Sequence, residues 1–206
     1  MNSRKEHWEN VYSTKDHTEV SWYQESPEIS LALLSKINAQ PSQSVVDVGC
    51  GASLLADNLI THGYKNITLI DLSDKALSLI KSRLGDNADI PEYLSDDITT
   101  IKFNKSFDIW HDRAVFHFLT DATDRESYMS TLSKNLTPTG HAIIGAFSLN
   151  GPKKCSGLDI VQYDAAKIKS VLPQGLELEA TTSDTHVMPN GSTQEFMYFI
   201  IKHNNN

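Results

Sequence analysis

The chain has 206 residues, enough for one domain whose core needs no covalent staples. Its 39% hydrophobic and 21% charged residues are ordinary for a globular protein, and a formal net charge of -8 argues against nucleic-acid binding, which takes clustered Lys and Arg to neutralise phosphates. No apolar run approaches the roughly 20 residues that cross a bilayer, the start is too polar for a signal peptide, and the two cysteines, Cys50 and Cys155, make no disulfide framework, so a cytoplasmic protein without membrane contact is expected.

The first 26 residues show little apolar periodicity but concentrate aromatics: Trp8, Tyr12, Trp22 and Tyr23. Disordered tails are poor in aromatics. This segment is therefore expected to pack on the domain, either sealing the core edge or closing as a lid in which Trp22 or Tyr23 touches a ligand. Ser26-Pro27 reads as an N-cap with proline at the first helical position, followed by a stripe of Ile29, Leu33 and Ile37. Residues 1–40 form this lid and helix segment, 41–202 the core of a single domain, and 203–206 a frayed tail.

The core opens on Ser44-Val45-Val46-Asp47-Val48-Gly49-Cys50-Gly51-Ala52-Ser53, an apolar strand ending in an acid and two closely spaced glycines. Glycine permits a sharp turn and removes the Cβ atoms that would keep a ligand off the main chain. The helix that follows, near Leu54, turns its free N–H groups toward that ligand. A dinucleotide fingerprint would place its third glycine at position 54, which is Leu54, so a nicotinamide oxidoreductase is disfavoured. After a helix stopping at Gly63, Asn66-Ile67-Thr68-Leu69-Ile70-Asp71 is a second buried strand. Its terminal Asp71 lies twenty residues beyond Gly51, where a carboxylate accepts the hydroxyls of a ribose held on the first turn. Ser73 caps the next helix, with Ala76, Ile80 and Leu84 in register, and residues 91–95 make a third strand.

Phe107-Asp108-Ile109-Trp110 begins a fourth strand that runs into His111-Asp112-Arg113 and then His117. Carboxyl ends of strands face the ligand crevice in doubly wound folds, which makes this cluster a catalytic candidate. The alternative is a fixed Asp112 to Arg113 ion pair with His117 packed or capping. The Cys and His spacings show no metal-ligand pattern. Thr123-Asp124-Arg125-Glu126 reads as a capping box, Thr137-Pro138-Thr139-Gly140 as a break, and residues 141–147 as a fifth strand. A long loop carrying Cys155 follows, then a helix over 164–172 and two strands, 176–182 and 194–202, joined as a hairpin through His186, Pro189, Asn190 and Gly191. This alternation predicts an α/β fold: a doubly wound, mainly parallel seven-stranded sheet closed by an antiparallel hairpin.

Asp47, Gly49, Gly51 and the element order resemble the class I, seven-stranded S-adenosylmethionine-dependent methyltransferases, with Ser53 where that family's motif has its third glycine. The resemblance spans about residues 40 to 202. It implies S-adenosylmethionine as cofactor and S-adenosylhomocysteine as product, with Gly49 and Gly51 under the aminoacyl end and Asp71 at the ribose. It places Asp97 and Ile98 at the adenine, and adds Trp22, Asp47, Cys50, Leu72 and His111 to the cofactor residues. Asp112, Arg113 and His117 are the catalytic candidates, Asp112 or His117 as a base and Arg113 orienting an anionic acceptor or the methionyl carboxylate. The segment from His7-Trp8 to Trp22-Tyr23 is similar to the start of small protein-lysine methyltransferases. Those carry an Asp-Lys-Gly-Thr-like sequence after strand four, and Asp112-Arg113-Ala114-Val115 looks closer to the thiopurine and tellurite group. A small-molecule acceptor is favoured over a protein lysine. The remaining alternative is a cofactor-binding partner protein without turnover.

Overall fold

The computed structural model describes residues 4–204; the polar start Met1-Asn2-Ser3 and the tail residues Asn205 and Asn206 lie outside the described residues. In chain order the elements begin with helices α1 (Arg4–Thr14) and α2 (Glu28–Lys36) and strand β1 (Val45–Val48). Next come α3 (Leu55–Thr61), β2 (Ile67–Asp71), α4 (Asp74–Leu84), β3 (Glu92–Ser95) and β4 (Phe107–Arg113). The second half is α5 (Ala122–Asn135), β5 (Leu136–Phe147), the short β6 (Lys154–Cys155) and β7 (Leu158–Asp159), α6 (Ala165–Val171), β8 (Leu176–Val187) and β9 (Thr193–His203).

Seven strands form one sheet in the order β3-β2-β1-β4-β5-β9-β8. The first five are parallel, and β9 runs antiparallel to both β5 and β8. Parallel strands are covered on both faces, which is why β1 and β2 are buried along their whole length. Alternate residues serve opposite layers. Val45 packs with Leu33, Leu55, Leu59 and Ile80, whereas Val46 and Val48 pack with Tyr128, Met129, Leu132 and Ile168. The sheet's order reverses between β1 and β4, and the crevice beyond their carboxyl ends is where an open α/β sheet holds its ligand.

Several local expectations are corrected. The opening segment is a regular helix, α1, whose Arg4, Trp8 and Tyr12 share one face at helical spacing. Helix α2 has Pro27 rather than Ser26 at its N-cap position, with no side-chain cap bond. No capping box forms at Thr123, because α5 already begins at Ala122 with Asp121 as N-cap. The stretch Thr137-Pro138-Thr139-Gly140 does not interrupt the chain: β5 starts at Leu136, straight from α5, and Thr137 Oγ1 donates to Asp108 Oδ1 at 3.0 Å. The loop after β5 folds into the small β6–β7 hairpin, which buries Cys155. Both final strands run past their expected ends, so His186 and His203 lie inside strands.

Candidate functional site

Gly49 and Gly51 sit at φ +62° and +55°, the left-handed region that glycine enters without penalty. The turn is tied down on both sides. Gly49 N and Cys50 N donate to Ile70 O at 2.7 and 3.1 Å, and Gly51 N donates to Asp71 Oδ2 at 2.8 Å. Arg83 grips Asp57 through two nitrogens and also donates to the carbonyls of Ala52 and Ser53 at 3.0 and 2.6 Å. Ser53 itself keeps an ordinary φ, which explains why serine stands there without strain.

Two cavities open at this switch point. The first is lined by Asp71, Leu72, Asp97 and Ile98 from the β2 and β3 ends, together with Trp8 and Phe118. The second lies over the glycine turn, beside Asp47 and His111. Tyr12, Trp22, Gly49 and Arg113 line both and so form the neck between them. Helix α1 covers this neck. Its Trp8 ring meets Trp22 and Phe118 edge-on at 5.7 and 5.1 Å, and Tyr12 reaches so far in that a Cβ on Gly51 would lie 2.3 Å from its Oη. Polar contacts hold the helix down at the rim. Arg4 pairs with Asp97 and Asp124, both at 3.2 Å, and Glu9 accepts from Ser73 Oγ at 2.7 Å.

The Asp71 carboxylate accepts the Ser73 and Gly51 N–H groups, one on each oxygen at 2.8 Å. Each oxygen keeps a second lone pair for a hydroxyl. Burial pushes this carboxyl up to about 6, against the lowering effect of those two N–H groups. Asp97 spends Oδ1 on Thr99 and Oδ2 on Arg4, so an amine arriving there must share the carboxylate with Arg4. In the second cavity, Asp47 Oδ2 and Arg113 Nη2 are buried polar atoms without a partner. Arg113 is otherwise fixed: Nε donates to Tyr198 Oη at 3.1 Å, Nη1 to the Trp22 carbonyl at 2.9 Å, and its guanidinium rests 5.0 Å over the Phe196 ring.

The expected cofactor residues Trp22, Asp47, Gly49, Cys50, Gly51, Asp71, Leu72, Asp97, Ile98 and His111 all line one or both cavities. Two catalytic candidates do not. Asp112 is fully buried on the α5 side of β4, where it accepts from Val115 N and Phe116 N and from Tyr128 Oη at 2.6 Å. It makes no ion pair with Arg113 and lines neither cavity. His117 is also fully buried, accepts from Phe147 N at 3.4 Å, and has its pKa driven down to about 3, first by burial and then by Arg113. It too lines neither cavity. Cys50 and Cys155 line the cavities as neutral thiols: burial raises Cys50 well above its ordinary value and Cys155 to about 11. The sequence reading missed Arg4, Trp8 and Tyr12 as site residues. Their spacing at every fourth position was the available signal.

An open sheet with a glycine turn and two strand-end acids at its switch point defines a nucleotide-cofactor α/β domain. Residues 46–144 match the family model of the methyltransferase domain. A mouse (Mus musculus) eEF1A lysine and N-terminal methyltransferase is 26% identical over 140 residues, 67% of this chain and 20% of that protein, so the chain spans a fifth of that relative's length. A ubiquinone biosynthesis O-methyltransferase of Rickettsia bellii is 29% identical over 117 residues, 57% of this chain and 46% of that protein. The fold is shared with the N-methyltransferase NodS of Bradyrhizobium japonicum, solved with S-adenosyl-L-homocysteine, at TM-score 0.73 and 15% identity over 97% of this chain and 100% of that one. Together these likenesses support the reading of the chain as a class I S-adenosylmethionine-dependent methyltransferase with S-adenosylmethionine as its cofactor.

Proposed function

We propose that this chain transfers the methyl group of S-adenosylmethionine to a small-molecule acceptor. The observation that carries the reading is the pair of orphaned groups in one cavity, a carboxylate oxygen of Asp47 and a guanidinium nitrogen of Arg113. Together they are complementary to an α-amino acid, whose ammonium and carboxylate are the two charges they lack. Across the neck, Asp71 offers oxygens for ribose hydroxyls and Ile98 an apolar face for a base. Amino acid on one side and nucleoside on the other match the donor's two ends, and the residues present fit the group.

When bound, S-adenosylmethionine supplies an activated methyl on a sulfonium. The chain's share is to orient that group, exclude water and hold the acceptor in line. With Asp112 and His117 out of reach and both thiols neutral, no described side chain at the neck is poised as a base. The reading therefore favours an acceptor that arrives as a ready nucleophile, small and apolar enough to lie among Trp8, Phe118 and Cys155. The names of the relatives cover both protein and small-molecule methylation. Screening thiols, metalloids and small carboxylates against cell lysate with labelled donor separates these, and label in lysate protein alone overturns the small-molecule reading.

Calorimetry is expected to show binding of S-adenosylhomocysteine and none of NAD; binding of NAD alone refutes the donor assignment. Trp22→Ala removes a ring at the neck and loosens the segment whose carbonyl holds Arg113. It is expected to weaken S-adenosylhomocysteine by more than about 1 kcal/mol, beyond the roughly 0.5 kcal/mol of an ordinary surface change. Unchanged affinity assigns Trp22 to edge packing.

The affinity also carries a pH signature. Hydroxyls donate best to an ionised Asp71, yet its carboxyl titrates near 6. Below that value the proton must leave before the ribose is held, so affinity is expected to be full above pH 6 and to fall about tenfold per unit below it. Asp71→Asn is expected to flatten this profile, and a wild-type profile flat from pH 7 to 5 excludes the role.

A further inference from the structure

Under the glycine turn lies a chain of buried polar side chains that the functional reading leaves unexplained. Asp47 on β1 and His111 on β4 are paired neighbours in the sheet, so both side chains emerge on the α2 face. His111 Nδ1 donates to Asp47 Oδ1 at 2.7 Å, and Ser30 Oγ of α2 stands 2.9 Å from His111 Nε2. Ser30, His111 and Asp47 are exposed by only 1%, 3% and 3%, so the chain is made at the full cost of desolvating three polar groups. Both ring nitrogens of His111 are occupied, which leaves it no atom for a ligand. One end of the chain is open: Asp47 Oδ2 has no partner and borders the second cavity.

We propose that Ser30 and His111 are positioning residues, which fix the Asp47 carboxylate so that its free oxygen faces the cavity and receives the ammonium group of the bound amino acid portion. The carboxylate only accepts, so Nδ1 carries the hydrogen on that side. The Ser30 hydroxyl donates to Nε2 and locks that tautomer. Without the imidazole, Asp47 is free to rotate and to take its hydrogen bonds from the turn's own backbone. Without the hydroxyl, the ring can flip. Each residue thus acts on the ligand through Asp47 and touches nothing that the nucleoside half uses. This rests on the donor assignment above.

The test compares two ligands. S-adenosylhomocysteine carries the ammonium; its deamino analogue, with the α-amino group replaced by hydrogen, keeps the purine, ribose, thioether and carboxylate. Binding of both is measured by calorimetry on wild type, Ser30→Ala, Ser30→Thr and His111→Phe, with thermal melting alongside. His111→Phe is expected to weaken S-adenosylhomocysteine by roughly tenfold or more, the loss that goes with a misplaced charged hydrogen bond. Ser30→Ala is expected to weaken it less, Ser30→Thr to restore wild-type affinity, and the deamino analogue to bind all four proteins within about twofold. Equal losses for the two ligands, or no loss for S-adenosylhomocysteine, overturn the proposal. Should His111→Phe not fold, the Ser30 pair decides alone, since it changes a single hydroxyl. A wild type that binds neither ligand refutes the donor assignment instead, and this inference with it.

Discussion

Asp112→Ala is expected to lower stability by about 3–5 kcal/mol while leaving the folded fraction able to bind S-adenosylhomocysteine. Trp110 Nε1 donates to Tyr128 Oη at 2.9 Å, and Tyr128 Oη passes its own hydrogen to Asp112 Oδ2 at 2.6 Å. Val115 N and Phe116 N complete the set, at 2.9 and 3.1 Å. Removing the carboxylate strands these donors in a region with no exposure at Trp110, Asp112, Phe116 or Tyr128. For a domain of this size, a loss on that scale lowers the melting temperature by about 10 °C or more. Burial raises the Asp112 carboxyl to about 6, above the roughly 3.9 of an unfolded chain. Its titration therefore adds stability below pH 4 that is lost as pH rises through 6. Asp112→Asn, which stands in for the protonated form, is expected to cost less than alanine and to flatten that part of the stability profile. Urea melts at pH 4, 6 and 8 check all three statements; loss of ligand binding with no loss of stability returns Asp112 to the site.

The contrast between Asp112 and its neighbours shows what the sequence makes legible. The order of strands and helices could be read because parallel strands appear as short apolar runs, and β1 and β2 end in acids at the crevice. The expected cofactor residues follow from those ends. Period-two alternation decides which side of a strand a residue takes, and in β4 it splits the polar cluster between two faces. Ile109, His111 and Arg113 share the α2 face; Trp110 and Asp112 share the other, under Tyr128. An acid two residues from a buried tryptophan was thus bound for the core. The lid was harder to see. In α1 the residues lining the neck or its rim are an arginine and two aromatics, Val11 is its single buried aliphatic, and the others are mostly polar, so no aliphatic stripe marks it. Its docking depends on partners far along the chain, Asp97 and Asp124 for Arg4, Ser73 for Glu9 and Phe118 for Trp8, which no local pattern reveals.

That lid makes the glycine turn sensitive to a single methyl group. Gly51→Ala places a Cβ 2.3 Å from Tyr12 Oη and 3.3 Å from Cζ, at a φ of +55° that costs an L-residue about 1–2 kcal/mol. The turn cannot retreat, since Gly51 N is held by Asp71 and the preceding residues by Ile70. Tyr12 must move instead, and with it the ring cluster of Trp8 and Trp22 over both cavities. Gly51→Ala is therefore expected to weaken S-adenosylhomocysteine by about a hundredfold, or roughly 2.7 kcal/mol. Tyr12→Phe deletes the atom in closest conflict and leaves Cζ at a distance that a small shift accommodates. In a double-mutant cycle the second change is expected to recover about 1 kcal/mol of binding in the Gly51→Ala background while weakening the wild type slightly, because residues in contact do not behave additively. Additive losses mean that the backbone strain alone accounts for Gly51, and that Tyr12 does not close on the turn in solution.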